Sequence, residues 1–497
     1  MSTDQAKKAY SNLCERYDEI ALLNSAAGHL GWDQETYLPK GGGPVRSRQL
    51  SYLSGKVHQL ATSDDVGGWI SECEGGDFTD GSIEAANISG WRHGYDRAVK
   101  LPSSLVKEFA GTTSEAVAVW QDAREKSDFS LFSPTLAKVV DLTRQKAEAW
   151  GYESEPYDAL LEEYERGVCA NDIATVFDAL EPELVEIVAE ACSAKPGAVL
   201  PAGPYPVADQ MEFNAKVAAA IGFDFDRGRI DTAAHPFCTG LTPGDTRLTT
   251  RYTEDDFTSS LFGVLHEAGH GMYEQGLLAD QWGRPAGTSV SLGIHESQSR
   301  LWENHVGRSA EFWEVWLPEA QKSFPVLEGL AVGDMVRIVN TAKKSHIRVE
   351  ADEVTYDLHI LLRFQLERAL FAGDLDVADL AVEWNTRFEE LFGLPVKKDA
   401  DGCLQDIHWS FGLIGYFPTY TLGNLNAAQL YRAAHQQLPS LAGELASGTY
   451  GSLLSWLNTN VHEVGMQKTP PEILSDSTGE AVQSRYHLEH LRSRYLG

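Results

Sequence analysis

The sequence places two histidines and a glutamate at a spacing that suits metal chemistry. They are His266, Glu267 and His270, which form a His-Glu-x-x-His motif within a helical pattern of apolar residues. Residues four apart lie on one face of a helix, so the two imidazole rings can converge on one metal ion. Glu267 is rotated by about 100° from His266. It can therefore border the metal without binding it, and accept a proton from a water molecule there.

A structural interpretation of the motif competes with the catalytic one. Three fixed positions can arise by chance, and the two histidines would then be core residues hydrogen-bonded to the backbone. The helix itself is well specified, with Thr253 predicted as its N-cap and Asp256 in its first turn. Its core face follows a helical period through Phe257, Leu261, Val264, Leu265, Ala268 and Met272.

A catalytic zinc ion takes three protein ligands and keeps one position open for water, so a third ligand is needed. Glu296 is the first candidate, because a loop over residues 283–293 is followed by a helical pattern that contains it. This separation from His270 leaves room for a turn and an antiparallel helix. The adjacent His295 is the competing candidate, and the spacing leaves both open.

The remaining pattern predicts one mainly helical body that covers residues 1–497 as a single catalytic domain. No internal repeat, low-complexity tract or long polar linker interrupts it. The first amphipathic helix is expected to end near Gly28 and Gly31. The Thr-rich segment 245–252 follows Pro243-Gly244 and predicts a short strand just before the metal helix. An exposed strand edge there could pair with an extended peptide of any sequence.

Composition and charge exclude several classes of protein. The chain has 497 residues, of which 43% are hydrophobic, but no uncharged apolar run reaches 18 residues, so no transmembrane span is expected. The net charge of −31 argues against nucleic acid and anionic membranes as partners. Six cysteines without a CxxC pair predict neither a disulfide framework nor a thiolate zinc site. A cytoplasmic enzyme is the simplest interpretation.

Six motifs in one order make the sequence recognisable, and together they resemble the carboxypeptidase Taq family of metallocarboxypeptidases. The similarity runs over nearly the full length, from the amino-terminal Trp32-Asp33-Gln34-Glu35-Thr36 to the segment Tyr416 to Gly423. The six motifs are His235-Pro236-Phe237, Asp245-x-Arg247-x-Thr249, His266-Glu267-x-x-His270, His295-Glu296-Ser297-Gln298, Ile347-Arg348-x-x-Ala351-Asp352 and Gly402-x-x-Gln405-Asp406-x-His408-Trp409.

The resemblance implies a fold, a cofactor and an activity. The fold is an almost entirely helical, two-lobed body with a deep central groove and a small sheet beside the metal helix. The cofactor is a zinc ion, or cobalt, held by His266, His270 and Glu296, with Glu267 as the general base. The activity is the release of single residues from the carboxyl end of peptides with broad preference. A homodimer is also implied.

Two further tasks require residues beyond the metal site. The tetrahedral intermediate needs hydrogen-bond donors, for which Tyr420, Tyr416 and His408 are candidates. An exopeptidase must also bind the terminal carboxylate, and the planar fork of an arginine suits it. Arg348 is the first choice and Arg247 the second. The motif residues His235, Asp245 and Gln405 complete the expected substrate-binding set.

Two other activities remain open at this point. A related helical zinc endopeptidase or peptidyl-dipeptidase would use the same metal chemistry with a different groove length. A peptide-binding protein that retains a metal without turnover belongs to another class. The presence of Glu267 disfavours it, because a structural zinc site is closed by a fourth ligand and needs no base.

Overall fold

Helices make up most of the molecule. The computed structural model describes residues 3–193 and 199–497, and 71% of the residues are helical. The first nine helices are α1 Thr3–Thr36, α2 Gly43–Ala61, α3 Asp64–Glu74, α4 Ile83–Lys100, α5 Ser103–Lys126, α6 Ser133–Trp150, α7 Pro156–Leu161, α8 Ala170–Ser193 and α9 Val207–Ile221. After the sheet come α10 Phe257–Gly276, α11 Leu292–Arg300, α12 Ala310–Ser323, α13 Val332–Val339, α14 Glu353–Ala372, α15 Leu380–Phe392, α16 Pro418–Gln437, α17 Leu441–Ala446, α18 Gly451–Leu457, α19 Pro470–Thr478 and α20 Ser484–Tyr495.

A sheet of three strands lies between α9 and α10. The strands are β1 Gly228–Thr232, β2 Phe237–Thr242 and β3 Asp245–Thr250, in the order β1-β3-β2. The predicted strand is β3, but it is the central strand: β1 pairs with it in parallel and β2 in antiparallel register. The edge beside the metal helix therefore belongs to β2, which sequence patterning missed because Gly240 and a register shift break its alternation.

The metal helix α10 is anchored by an almost continuous buried surface. Asp256, and not Thr253, is its N-cap, since the Asp256 carboxylate accepts hydrogen bonds from the Thr258 and Ser259 amides. The predicted core face is fully buried, and the helix packs on β2 and β3. A helix fixed along this length holds its histidines in one orientation.

The first helix runs further than expected, through Gly28 and Gly31 to Thr36. Gly28 is needed for packing, since a Cβ there would lie 2.7 Å from the Leu241 side chain on β2. The glycine marks the close approach of α1 to the sheet and does not end the helix.

Two large apolar cores flank helix α16. One is built mainly from α6, α8, α14 and α15, and the other from α9, α10 and α12. Leu422 and Leu425 of α16 belong to the first core, whereas Ala427 and Leu430 belong to the second. The prediction of a mainly helical body with a small sheet beside the metal helix is confirmed. None of the described helices is long and apolar enough to cross a bilayer.

Candidate metal centre

Three potential ligand side chains meet where α10 packs against α11. His266 and His270 project from α10 and Glu296 from α11, and one donor atom of each lies within 4.8 Å of the others. The Glu296 Oε2 atom is 3.7 Å from His266 Nε2 and 3.4 Å from His270 Nε2. Among the described residues this is the only such group of three His, Cys, Asp or Glu side chains. Within residues 3–193 and 199–497, no fourth side chain of these types joins the group.

Helix α11 and the π-helical turn that follows it, Leu301–Val306, supply partners for two of these ligands. Glu303 Oε2 lies 2.9 Å from His266 Nδ1, and Arg300 donates to Glu296 Oε1 at 2.7 Å and to Glu303 Oε2 at 3.0 Å. Burial favours a neutral carboxyl at Glu296, but Arg300 and His266 outweigh it and hold its pKa well below the usual range. The same balance lowers the pKa of Glu303 to about 2. Both carboxylates are therefore charged.

His270 has a partner of a different kind on its far side. Its Nδ1 lies 2.5 Å from His295 Nδ1, and His295 Nε2 lies 2.8 Å from Glu274 Oε1. With Nε2 of His270 free as a ligand, its Nδ1–H donates to His295, whose Nε2–H donates to Glu274. Burial and the neighbouring His295 lower the pKa of His270 to about 3, which keeps the ring neutral. His295, the competing ligand candidate, thus lies behind His270.

Glu267 lies in the same pocket with its carboxylate free. It is 6% exposed, and no side chain of the described residues forms a hydrogen bond with it. Burial raises its pKa to about 7, although His266 opposes the shift. The pocket, about 330 Å³, is also lined by Cys238 of β2 and by Tyr416 and Tyr420. A carboxylate of this kind can exchange protons with a molecule bound in the pocket.

Arg348 belongs to a buried cationic cluster that reaches Tyr420. Asp406 accepts two hydrogen bonds from Arg348 on Oδ1 and two from Arg363 on Oδ2. Two guanidinium groups and one carboxylate leave a net charge of about +1. The Arg348 carbon Cζ is 5.2 Å from the ring centre of Tyr420, and its Nη1 donates to the Tyr356 hydroxyl at 2.8 Å. Arg348 is thus held rigidly beside the metal pocket.

Gln405 and His408, which belong to the same sequence motif as Asp406, adjoin this cluster. Gln405 accepts from the Arg348 amide at 2.8 Å and donates to two backbone carbonyl groups, so it fixes the backbone at Arg348. His408 Nε2 lies 3.5 Å from the Tyr420 hydroxyl, and its Nδ1 has no hydrogen-bond partner among the described residues. Burial lowers the pKa of His408 to about 4.

The other predicted substrate-binding residues lie outside the metal pocket. Arg247 makes two hydrogen bonds of 2.8 Å to Asp245 and stacks on Trp32, with its Cζ 4.3 Å from the ring centre. Asp245 also contacts His29 of α1 at 3.0 Å. His235 is exposed and directly precedes the segment Pro236 to Cys238, which lines the pocket. Arg247 and Asp245 therefore join α1 to the sheet.

Sequence reasoning missed four residues around the site. Arg300 and Glu303 follow Glu296 at four and seven positions, a helical spacing that puts all three on one face and could have identified them. Glu274 is likewise four positions after His270. Tyr356 had no such signal, since it reaches Arg348 only through the packing of α14.

The residues present fit a divalent metal of the zinc class. Two imidazole Nε2 atoms and one carboxylate oxygen converge, while each remaining polar atom of the three side chains is taken by Glu303, His295 or Arg300. Such outer partners are the normal support of a two-histidine, one-carboxylate site.

Comparisons with known proteins agree with this geometry. The family model described as carboxypeptidase Taq (M32) metallopeptidase matches residues 12–495. Thermostable carboxypeptidase 1 of Thermus thermophilus is 41% identical, with 98% of each chain covered, and carboxypeptidase 1 of Bacillus subtilis is 36% identical, also with 98% covered. The crystal structure of an M32 carboxypeptidase from Deinococcus radiodurans superposes with a TM-score of 0.95 at 38% identity, over 98% of this chain and 99% of that one. The chain is therefore a member of the carboxypeptidase Taq (M32) family of metallopeptidases, a metallocarboxypeptidase.

Proposed function

We propose that this metallocarboxypeptidase removes single amino acids from the carboxyl end of peptides, with broad preference for the residue released. His266, His270 and Glu296 would hold a zinc ion, or cobalt, and Glu267 would be the general base. The observation that carries the proposal is the free, buried carboxylate of Glu267 in the pocket that also contains the three ligand atoms.

The reaction divides between the metal and the side chains around it. When bound, the metal ion lowers the pKa of a coordinated water to about 7 and polarises the scissile carbonyl. Glu267 accepts the proton of the attacking water and returns it to the leaving amine, a role worth about 10²–10⁴ in rate. Tyr420 or Tyr416, whose rings line the pocket, would donate to the developing oxyanion. His408 would orient Tyr420 through their 3.5 Å contact.

Charge favours Arg348 over Arg247 as the group that binds the terminal carboxylate. The Arg348–Arg363–Asp406 cluster keeps an excess positive charge beside Tyr420, whereas Arg247 is neutralised by Asp245 in a bidentate pair. Gln405 would act indirectly by fixing the Arg348 backbone. A buried, excess positive charge attracts a carboxylate more strongly than a neutralised one.

The edge of β2 would bind the peptide backbone. Among the described strands β2 pairs only with β3, and its residues Phe237 and Cys238, together with the preceding Pro236, line the metal pocket. Its continuation from Thr239 to Pro243 lines a neighbouring cavity of about 440 Å³. An extended peptide that pairs with this edge would form backbone hydrogen bonds whatever its sequence, which is what a broad substrate preference requires. His235 and Asp245 would support this edge from either end.

We also propose one catalytic body over residues 1–497, a cytoplasmic location and a homodimer. The two cores joined through α16 support the single body, and the dimer has the support of family resemblance alone.

The decisive experiment uses an N-blocked peptide with a free carboxyl end and its carboxyl-terminal amide, each incubated with metal-loaded enzyme and analysed by mass spectrometry. Successive loss of single residues from the free acid is expected, with little turnover of the amide. Dipeptides or internal fragments would favour the peptidyl-dipeptidase or endopeptidase alternative. Metal binding without any hydrolysis would favour a peptide-binding protein.

The same pair of peptides separates the two arginines. Arg348→Ala is expected to raise KM steeply for the free acid while scarcely affecting the residual turnover of the amide. Arg247→Ala is the matched control, since it removes an arginine outside the metal pocket. An equal loss on acid and amide in Arg348→Ala would remove this residue from carboxylate binding.

A further inference from the structure

A second cavity, separate from the metal pocket, lies between α8, α16 and α19. Its volume is about 360 Å³, within the range of small-molecule sites. Apolar side chains form most of its wall, among them Ile173 and Val176 of α8, Leu422 of α16 and Leu474 of α19. None of the reaction steps above uses this cavity.

Two buried polar side chains of this cavity wall lack the partners that burial normally demands. Glu165 is 1% exposed; it accepts a hydrogen bond from the Gly293 amide and interacts with the Ser291 hydroxyl, but no cation of the described chain neutralises it. Asn426 is 6% exposed, and its side chain forms no hydrogen bond with any described residue. Burial raises the pKa of Glu165 to about 8. An uncompensated buried carboxyl group and an unused amide are costly.

The charge of the cavity wall specifies the complementary ligand. Asp172, at the amino-terminal end of α8, adds a second carboxylate, and no lysine, arginine or histidine of the described chain lines the cavity. An anionic ligand would be repelled. A primary ammonium group has three N–H donors and a positive charge. It could therefore pair with the Glu165 carboxylate and donate to the side-chain oxygen Oδ1 of Asn426.

We propose that this cavity is a binding site for a small primary amine, with its ammonium group between Glu165 and Asn426 and an apolar body against Ile173, Val176 and Leu474. The cavity lies one helix from the metal centre. Leu422 and Asn426 of α16 face it, while the adjacent Gly423 packs against Glu296. Glu165 itself bonds the first turn of α11, the helix that supplies Glu296.

The test is calorimetric titration of the full-length, metal-loaded protein with 2-phenylethylamine and with its neutral counterpart, 2-phenylethanol. The amine is expected to bind about tenfold more tightly or better, because only the ammonium can pair with Glu165. Glu165→Gln should abolish that preference, and Val176→Trp, which fills the cavity, should weaken both ligands. Asp178→Asn, on the exposed side of α8, is the matched charge control and should leave both affinities unchanged.

Three results would overturn the proposal. They are the absence of amine binding, equal affinity for amine and alcohol, and amine binding that Val176→Trp leaves unaltered. The last would place the amine elsewhere on this acidic surface. Because Val176→Trp leaves the hydrogen bond to α11 in place, it decides the question even where Glu165→Gln does not fold.

Discussion

At the level of single residues, the side chains of the metal centre are held by hydrogen bonds to their neighbours. Glu267 is the exception, since its buried carboxylate has no hydrogen-bond partner among the described residues. An unpartnered buried acid lowers stability, and such groups are retained where they act chemically. This contrast with Glu296, which Arg300 holds by a 2.7 Å hydrogen bond, separates the proposed base from the proposed ligand.

Replacing the proposed base, Glu267, by an amide of the same shape gives the first prediction. Glu267→Gln is expected to retain stoichiometric metal and lose about 10²–10⁴ in kcat, because the amide cannot accept the water's proton. Metal content by mass spectrometry and turnover of an N-blocked peptide are the two measurements. Full activity with full metal content would show that another group is the base.

The Glu274–His295–His270 chain gives the second prediction. Glu274→Gln places an amide where His295 needs a carboxylate acceptor, so the tautomer of His270 is no longer fixed. Metal affinity is expected to fall by about 10–100-fold, measured by titration of the metal-free protein with zinc. The control is Glu311→Gln, which changes a glutamate on α12 that does not belong to this series of hydrogen bonds. Unchanged affinity in Glu274→Gln would mean that His295 does not transmit an effect to the metal.

The sequence was informative at this scale wherever helical spacing alone decides which side chains meet. His266 and His270 share a face because they are four residues apart. The choice between His295 and Glu296 was beyond the spacing argument, because both lie on one turn and only the packing of α11 against α10 orients them. Tyr356 was likewise inaccessible, since it lies on α14, far along the chain from the metal motif.

At the level of elements, the site depends on how closely α10, α11 and α16 approach one another. Gly269 of α10 lies under the backbone of α11, where an added Cβ would be 2.5 Å from the Gln298 carbonyl oxygen. Gly423 of α16 faces Glu296, with an added Cβ 2.5 Å from its Cγ. Both glycines are required by close packing and not by backbone conformation, and both crossings lie beside proposed ligands.

The α10–α11 crossing gives the third prediction. Gly269→Ala is expected to lower the free energy of unfolding by about 1–3 kcal/mol, because backbone atoms cannot move aside as a flexible side chain would. Gly55→Ala in α2, where nothing lies within 4 Å of the added Cβ, is the control and should stabilise by up to about 1 kcal/mol. Denaturant unfolding of both variants measures the difference. Equal effects would show that the crossing tolerates a methyl group.

The elements were predictable where a single periodic pattern sufficed. The course of α10 and the position of β3 follow from apolar period and turn residues. The positions of β1 and β2 could not be predicted in this way, because Gly228, Asp231 and Gly240 interrupt their patterns. In addition, the sheet forms through pairing between residues that are distant in sequence. The π-helical turn Leu301–Val306 packs against α10 and α16, and no local sequence pattern predicts it.

At the level of the whole molecule, electrostatics acts on every substrate before contact. The protein carries a net charge of −31. Among the groups described above, only the Arg348–Arg363–Asp406 cluster has a local excess of positive charge. Long-range repulsion lowers the encounter rate of anionic peptides, whereas a terminal carboxylate close to Arg348 is bound by short-range contacts that salt screens less.

This balance predicts a charge preference that depends on salt. Among matched N-blocked peptides that end in Ala, Arg or Glu, the one ending in Glu should have the lowest kcat/KM at low ionic strength, because it carries an extra negative charge toward an acidic protein. At 1 M salt the Debye length falls to about 3 Å, and the Glu and Ala peptides should approach each other. The peptide ending in Ala is the internal reference for salt effects on the enzyme itself. If the preference against Glu persists unchanged at high salt, the discrimination arises from contacts in the metal pocket. If there is no preference at low salt, the net charge of the protein does not affect substrate binding.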